Sequence, residues 1–76
     1  MNLSKTRASL EQTLEVKQRL FQQFHQVLTE MSEWHYKKRY QYIETYSWLE
    51  SQCEMLADDI CEIKKELKEI EQEIRR

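Results

Sequence analysis

The side chains that could do chemistry in this 76-residue chain are few and far apart. Cys53 and Cys61 stand eight residues apart, and His25 and His35 ten apart. Neither spacing nor mixture gives a zinc-ligand pattern, so no metal and no cofactor is expected. A cysteine nucleophile needs a base and a cleft beside it. Cys53 instead falls on an apolar helical seam, where a thiol packs as a small hydrophobe. No catalytic residue is assigned and the chain is expected not to be an enzyme. His35 reads as a packed residue of the same stripe. Two thiols without a disulfide framework point to a reducing, intracellular compartment, cytoplasm or nucleus. Lys5 and Arg7 are followed by no apolar run, so no secretory leader is expected.

Two charged groupings could serve recognition. Lys37, Lys38 and Arg39 lie among aromatic residues, a combination that binds single-stranded nucleic acid when extended into a stripe. Here the run is three residues long in a chain of net charge −2, and a cation resting on a neighbouring ring accounts for it more simply. Glu50, Glu54, Asp58, Glu62 and Glu66 form an i,i+4 ladder of like charge. It reads as a solvated acidic face, with a docking stripe for a basic partner as the sharper alternative.

The elements that carry these residues are helical. The sequence contains no Gly and no Pro, and Glu, Lys, Gln, Leu, Arg and Met dominate it. Lacking both turn formers, the chain has little evident means of reversing sharply. As one rod it would run roughly 110 Å at 1.5 Å per residue. Such a rod must bury its apolar stripe against partner chains or by folding back. No stretch reaches the ~20 apolar residues of a membrane span.

The stripe has two parts. A front seam over residues 3–31 runs through Leu3, Leu10, Leu14, Phe21, Phe24, Leu28 and Met31, with Arg7 and Lys17 at two of its positions. Its steps alternate three and four, a heptad pattern. Charges at seam positions can fix register, or snorkel to water on their aliphatic stems. Leu20, Val27 and Trp34 follow beside the seam at seven-residue intervals and widen it, which suits three or more packed helices better than two. A back seam over residues 46–74 runs through Tyr46, Leu49, Cys53, Leu56, Ile60, Ile63, Leu67, Ile70 and Ile74. The two differ in phase. Joining them through Met31, His35, Arg39, Tyr42 and Tyr46 needs two successive steps of four, the mark of a stutter in a continuous helix. The alternative is a break near residues 32–39, with Ser32 capping a second helix. Since breaks usually carry Gly or Pro, the sequence favours continuity.

Between the seams lies an aromatic junction, residues 34–48, with Trp34, Tyr36, Tyr40, Tyr42, Tyr46 and Trp48. On a helix these rings point nearly all round. Trp34, Tyr36, Tyr40 and Trp48 are the candidate partner-binding residues, since large aromatics anchor interfaces.

Charge limits the partners. Residues 1–38 carry six Lys/Arg and four Glu, and residues 39–76 six Lys/Arg and ten Asp/Glu. Back-to-back antiparallel pairing would set acid against acid. Parallel self-pairing, head-to-tail overlap and a different coiled-coil partner stay open. The expectation is an all-α fold, a long helix in a coiled coil or bundle with other chains. Its expected function is non-enzymatic oligomerisation or scaffolding of a larger intracellular complex. The partner is expected to be protein, either further copies of the chain or a hetero-coiled-coil partner. The alternative, an amphipathic membrane-surface or nucleic-acid-binding helix, needs a basic polar face, and the back half is acidic.

Overall fold

The computed structural model describes residues 3–75, and they form a helical hairpin. The first helix, α1, spans Leu3–Ser32, a short α2 spans Tyr36–Gln41, and α3 spans Ile43–Arg75. Helices α1 and α3 pack antiparallel, and the molecule is 57 Å long and about 16 Å across. That length is about half of what a single straight helix of this many residues requires.

The favoured continuous helix with a stutter is therefore replaced by a break. Its phase slip is real, but it marks the end of one helix and the start of another. Met31 closes the front seam in α1, and Tyr46 and Leu49 open the back seam in α3. Ser32 does not cap a second helix. It is the last residue of α1, and its hydroxyl donates to the Thr29 carbonyl at 2.7 Å.

How the chain turns without Gly or Pro is visible in its hydrogen bonds. The Glu33 and Trp34 amides donate three residues back, to the Glu30 and Met31 carbonyls, so the last turn of α1 tightens into 3₁₀ form. Among the described residues, none outside the ordinary negative-φ region is needed. No basic residue lies in the last turn of α1, and Arg39 supplies the missing cation by donating to the Ser32 carbonyl at 3.1 Å. His35 then caps α2. Its backbone is extended, and its ring Nδ1 accepts from the Lys37 amide at 3.3 Å, as an Asn or Ser oxygen would at this position. His35 is thus an exposed cap, not a packed seam residue. Tyr42 ends α2 and starts α3 at once: its amide donates to the Arg39 carbonyl and its carbonyl accepts from the Tyr46 amide. Reversal is spread over ten residues, and the short helix in the middle keeps the backbone paired.

Against each other, the long helices bury one stripe. Met31, Leu49, Cys53, Leu56 and Ile63 form the core, and no described side chain is sealed off completely. Lys17, on the front seam, reaches Asp59 of α3 at 2.6 Å. Both groups are partly exposed, so this ion pair adds little energy and mainly marks register.

Core and surface therefore predict different responses. Leu56→Ala removes a buried side chain from the seam and should lower stability by about 2–5 kcal/mol. His35→Ala should cost about 0.5–2 kcal/mol through loss of the cap, while His35→Asn restores it. Urea denaturation followed by circular dichroism checks both; a Leu56→Ala protein as stable as wild type would contradict an intramolecular seam.

Candidate interaction surface

Three surfaces of the hairpin carry the residues singled out by the sequence: the seam between α1 and α3, the connector, and one flank of the helix pair.

The seam takes the heptad residues. On α1, Leu10, Leu14, Phe21, Phe24 and Leu28 are half-buried and Met31 is buried. On α3, Leu49, Cys53, Leu56 and Ile63 are buried and Ile60, Leu67 and Ile70 half-buried, while Ile74 at the open end is exposed. Since α1 and α3 cover each other, Cys53 sits inside its own chain's seam. Burial pushes the Cys53 thiol above its ordinary pKa. Cys61 lies exposed, bordering a groove beside the seam. Among the described residues no three His, Cys, Asp or Glu side chains come together as a metal site.

The connector gathers part of the aromatic junction. Trp34 is half-buried, meets Tyr42 edge-on at 5.7 Å between centroids, and carries the Lys38 ammonium 4.1 Å over its ring. An edge-to-face pair and a cation on an indole each add roughly 0.5–1 kcal/mol, which staples the start of the connector to its end. Of the three basic residues here, Lys38 and Arg39 are thus engaged within the chain, and Lys37 is exposed on α2. Tyr36 and Tyr40 are exposed, and with Ile43 they line a shallow groove at the tip of the hairpin. Trp48 belongs elsewhere. It packs edge-on against Phe24 across the helix pair at 5.7 Å and is still 53% exposed. The junction is accordingly split between the tip and the body.

The third surface was only partly evident from the sequence. Val16, Leu20 and Val27 on α1 each precede a seam position, occupied by Lys17, Phe21 and Leu28. On α3, Trp48 and Met55 precede Leu49 and Leu56. In two antiparallel helices packed face to face, the residues preceding the seam turn to the same side, because reversing a helix and turning its face about compensate. The grooves beside the seam agree: Val16, Leu20 and Leu56 line one, while Gln18, Gln22, Ala57 and Cys61 line the other. All five apolar residues are therefore exposed on one flank, from Leu20 at 38% to Met55 at 58%. The opposite flank is polar, presenting Gln18, Gln22, His25 and Thr29 from α1 and Glu50, Glu54, Cys61 and Lys64 from α3. Leu20 and Val27 are the residues that widen the front stripe. Val16 and Met55 went unremarked, although Met55 follows Trp48 by seven residues and Val16 precedes Leu20 by four.

Chemically, this arrangement is an amphipathic two-helix layer. No protein-family model, curated protein or solved structure matches the chain. No described helix is long and apolar enough to cross a membrane.

The two thiols report on the seam directly. A raised pKa lowers the thiolate fraction near neutral pH, and packing adds a barrier to access. Cys61 should react with a maleimide or disulfide reagent as an open thiol does, and Cys53 about tenfold or more slowly until denaturant opens the hairpin. Equal rates in native buffer would contradict the buried placement of Cys53.

Proposed function

We propose that the chain is a non-enzymatic helical-hairpin module that assembles an intracellular protein complex by accepting further helices along its apolar flank. The observation that carries this reading is the one-sidedness of the exposed residues. Val16, Leu20, Val27, Trp48 and Met55 share a flank, and the other flank is polar. Scattered apolar residues on a surface need no explanation, but a contiguous run of them marks a binding surface.

Energetics supports the same reading. Fully burying a Val, Leu, Met or larger side chain contributes roughly 1.5–3 kcal/mol each. The flank leaves five such residues in water, and the hairpin seals none of its described side chains completely. A two-helix layer of this size has a thin core, and small chains of this kind usually gain stability by association. A third or fourth helix laid on the flank would bury the five residues and deepen the seam beneath them.

Charge weighs against the alternatives. Helix α3 carries ten acidic residues against four basic ones, and five acids stand exposed in the Glu50–Glu66 ladder. An anionic membrane surface or a nucleic-acid backbone would be repelled by that helix. The acidic ladder lies away from the apolar flank for most of its length and keeps the outer side of the module hydrated.

A photo-crosslinking amino acid placed in the full chain tests this in cells. At Leu20 or Met55 it should give covalent adducts to polypeptide, and at Gln22 or Glu54 on the polar flank it should give few. Adducts distributed evenly over both flanks, or absent from the apolar one, would remove the assignment.

A further inference from the structure

The occupant of the apolar flank can be named from the way apolar and charged residues are distributed along it; this step rests on reading the flank as a docking surface for helices. On α3 the residues preceding the seam run Trp48, Gln52, Met55, Asp59, Glu62, Glu66 and Glu69. The flank is thus apolar on the half nearer the connector and acidic on the half nearer the open end. On α1 Leu20 and Val27 lie on the connector half as well, with Val16 at the middle of the helix, because Leu20 borders the same groove as Leu56 and Phe24 meets Trp48. The two helices also differ in charge. Helix α1 holds four Lys/Arg and three Glu, and α3 four Lys/Arg and ten Asp/Glu.

Two symmetric arrangements bring this flank against a second copy of itself. With the two-fold axis across the hairpin, α3 lies on the partner's α3 running the opposite way. Acidic helix then meets acidic helix, and a pivot at Met55 sets the Trp48 ring on the partner's Glu62. With the axis parallel to the hairpin, both connectors lie at one end and each α1 covers the partner's α3. Met55 then meets the partner's Leu20, Trp48 meets the partner's Val27, and the near-neutral helix covers the acidic one. Every neighbouring pair of helices runs antiparallel, as in an up-and-down four-helix bundle. The face that carries the flank measures 57 by 16 Å, and its apolar part occupies the connector half. We infer that the chain forms a two-fold dimer, a four-helix bundle in which α1 of each protomer covers α3 of the other along the apolar flank, with both connectors at the same end.

Sedimentation equilibrium of the purified full chain should give twice the 9.5 kDa chain mass at micromolar concentration. Leu20→Lys with Met55→Lys should return it to the mass of one chain. Orientation is read separately, so that the inference does not hang on the fold of that double variant. In a Cys53→Ala, Cys61→Ala background, chains with Leu20→Cys are mixed with chains carrying Met55→Cys and oxidised mildly. The mixed disulfide should exceed both homotypic products. A wild-type chain of single mass, or homotypic products in excess, overturns the dimer as described. A single-mass chain whose apolar flank still crosslinks to a different polypeptide in cells leaves the docking function standing and removes the second copy as its occupant. Loss of both results removes both readings.

Discussion

Every feature of this molecule depends on one geometric constraint: a helix with a wide apolar stripe cannot be covered by a single neighbour. Helices α1 and α3 satisfy the narrow part of the stripe by packing on each other, through Phe21, Phe24 and Leu28 on one side and Leu49, Cys53 and Leu56 on the other. The wide part remains. Leu20 and Val27 stand one position outside the seam and stay exposed, and Trp48 and Met55 stand outside it on the same side. A fold that covers the narrow part of its stripe within the chain leaves the wide part exposed on one flank. The module's shape, its thin core and its one-sided flank are consequences of that division.

The connector makes the intramolecular solution available. Ten residues with no Gly or Pro turn the chain with several backbone groups paired close by: 3₁₀ bonds at the end of α1, the Arg39 guanidinium on the Ser32 carbonyl, the His35 ring on the Lys37 amide, and Tyr42 shared between α2 and α3. The same residues explain the density of aromatics between the seams. Trp34 and Tyr42 lock the two ends of the connector together, and Lys38 lies on the indole. Trp48 bridges to Phe24, and Tyr36 and Tyr40 are left at the tip. A cluster that looks uniform along the sequence thus divides into rings that hold the turn, a ring that straddles the seam and the flank, and rings that face water.

The inward faces of α1 and α3 were legible because a three-four alternation fixes one side of a helix whatever packs against it. The identity of the covering helix was not legible, since heptads carry no statement of whether the partner belongs to the same chain. The charge asymmetry pointed toward a basic front beside an acidic back, and the Lys17–Asp59 pair is its local expression, but head-to-tail pairing of two chains satisfies it equally well. The break was not legible because Gly and Pro are the sequence marks of a turn, whereas this turn is built from side-chain caps and 3₁₀ bonds. His35 and Arg39 read in the sequence as steps joining the two seams between Met31 and Tyr42, whereas in the fold the His35 ring accepts from the Lys37 amide and the Arg39 guanidinium donates to the Ser32 carbonyl. The apolar flank was half legible: Leu20 and Val27 announce themselves by heptad spacing, but Val16 and Met55 join them only once the antiparallel register places α1 and α3 side by side.

The account stands on the chain folding back upon itself, and an intrachain distance measures that most directly. Spin labels at Ala8 and Lys68, both exposed on the two long helices, can be read by pulsed electron resonance with labelled chains diluted into an excess of unlabelled ones. The hairpin predicts a separation within about 30 Å, set by two packed helices and the label arms. A population centred near 90 Å, the length of sixty residues of continuous helix, would contradict it.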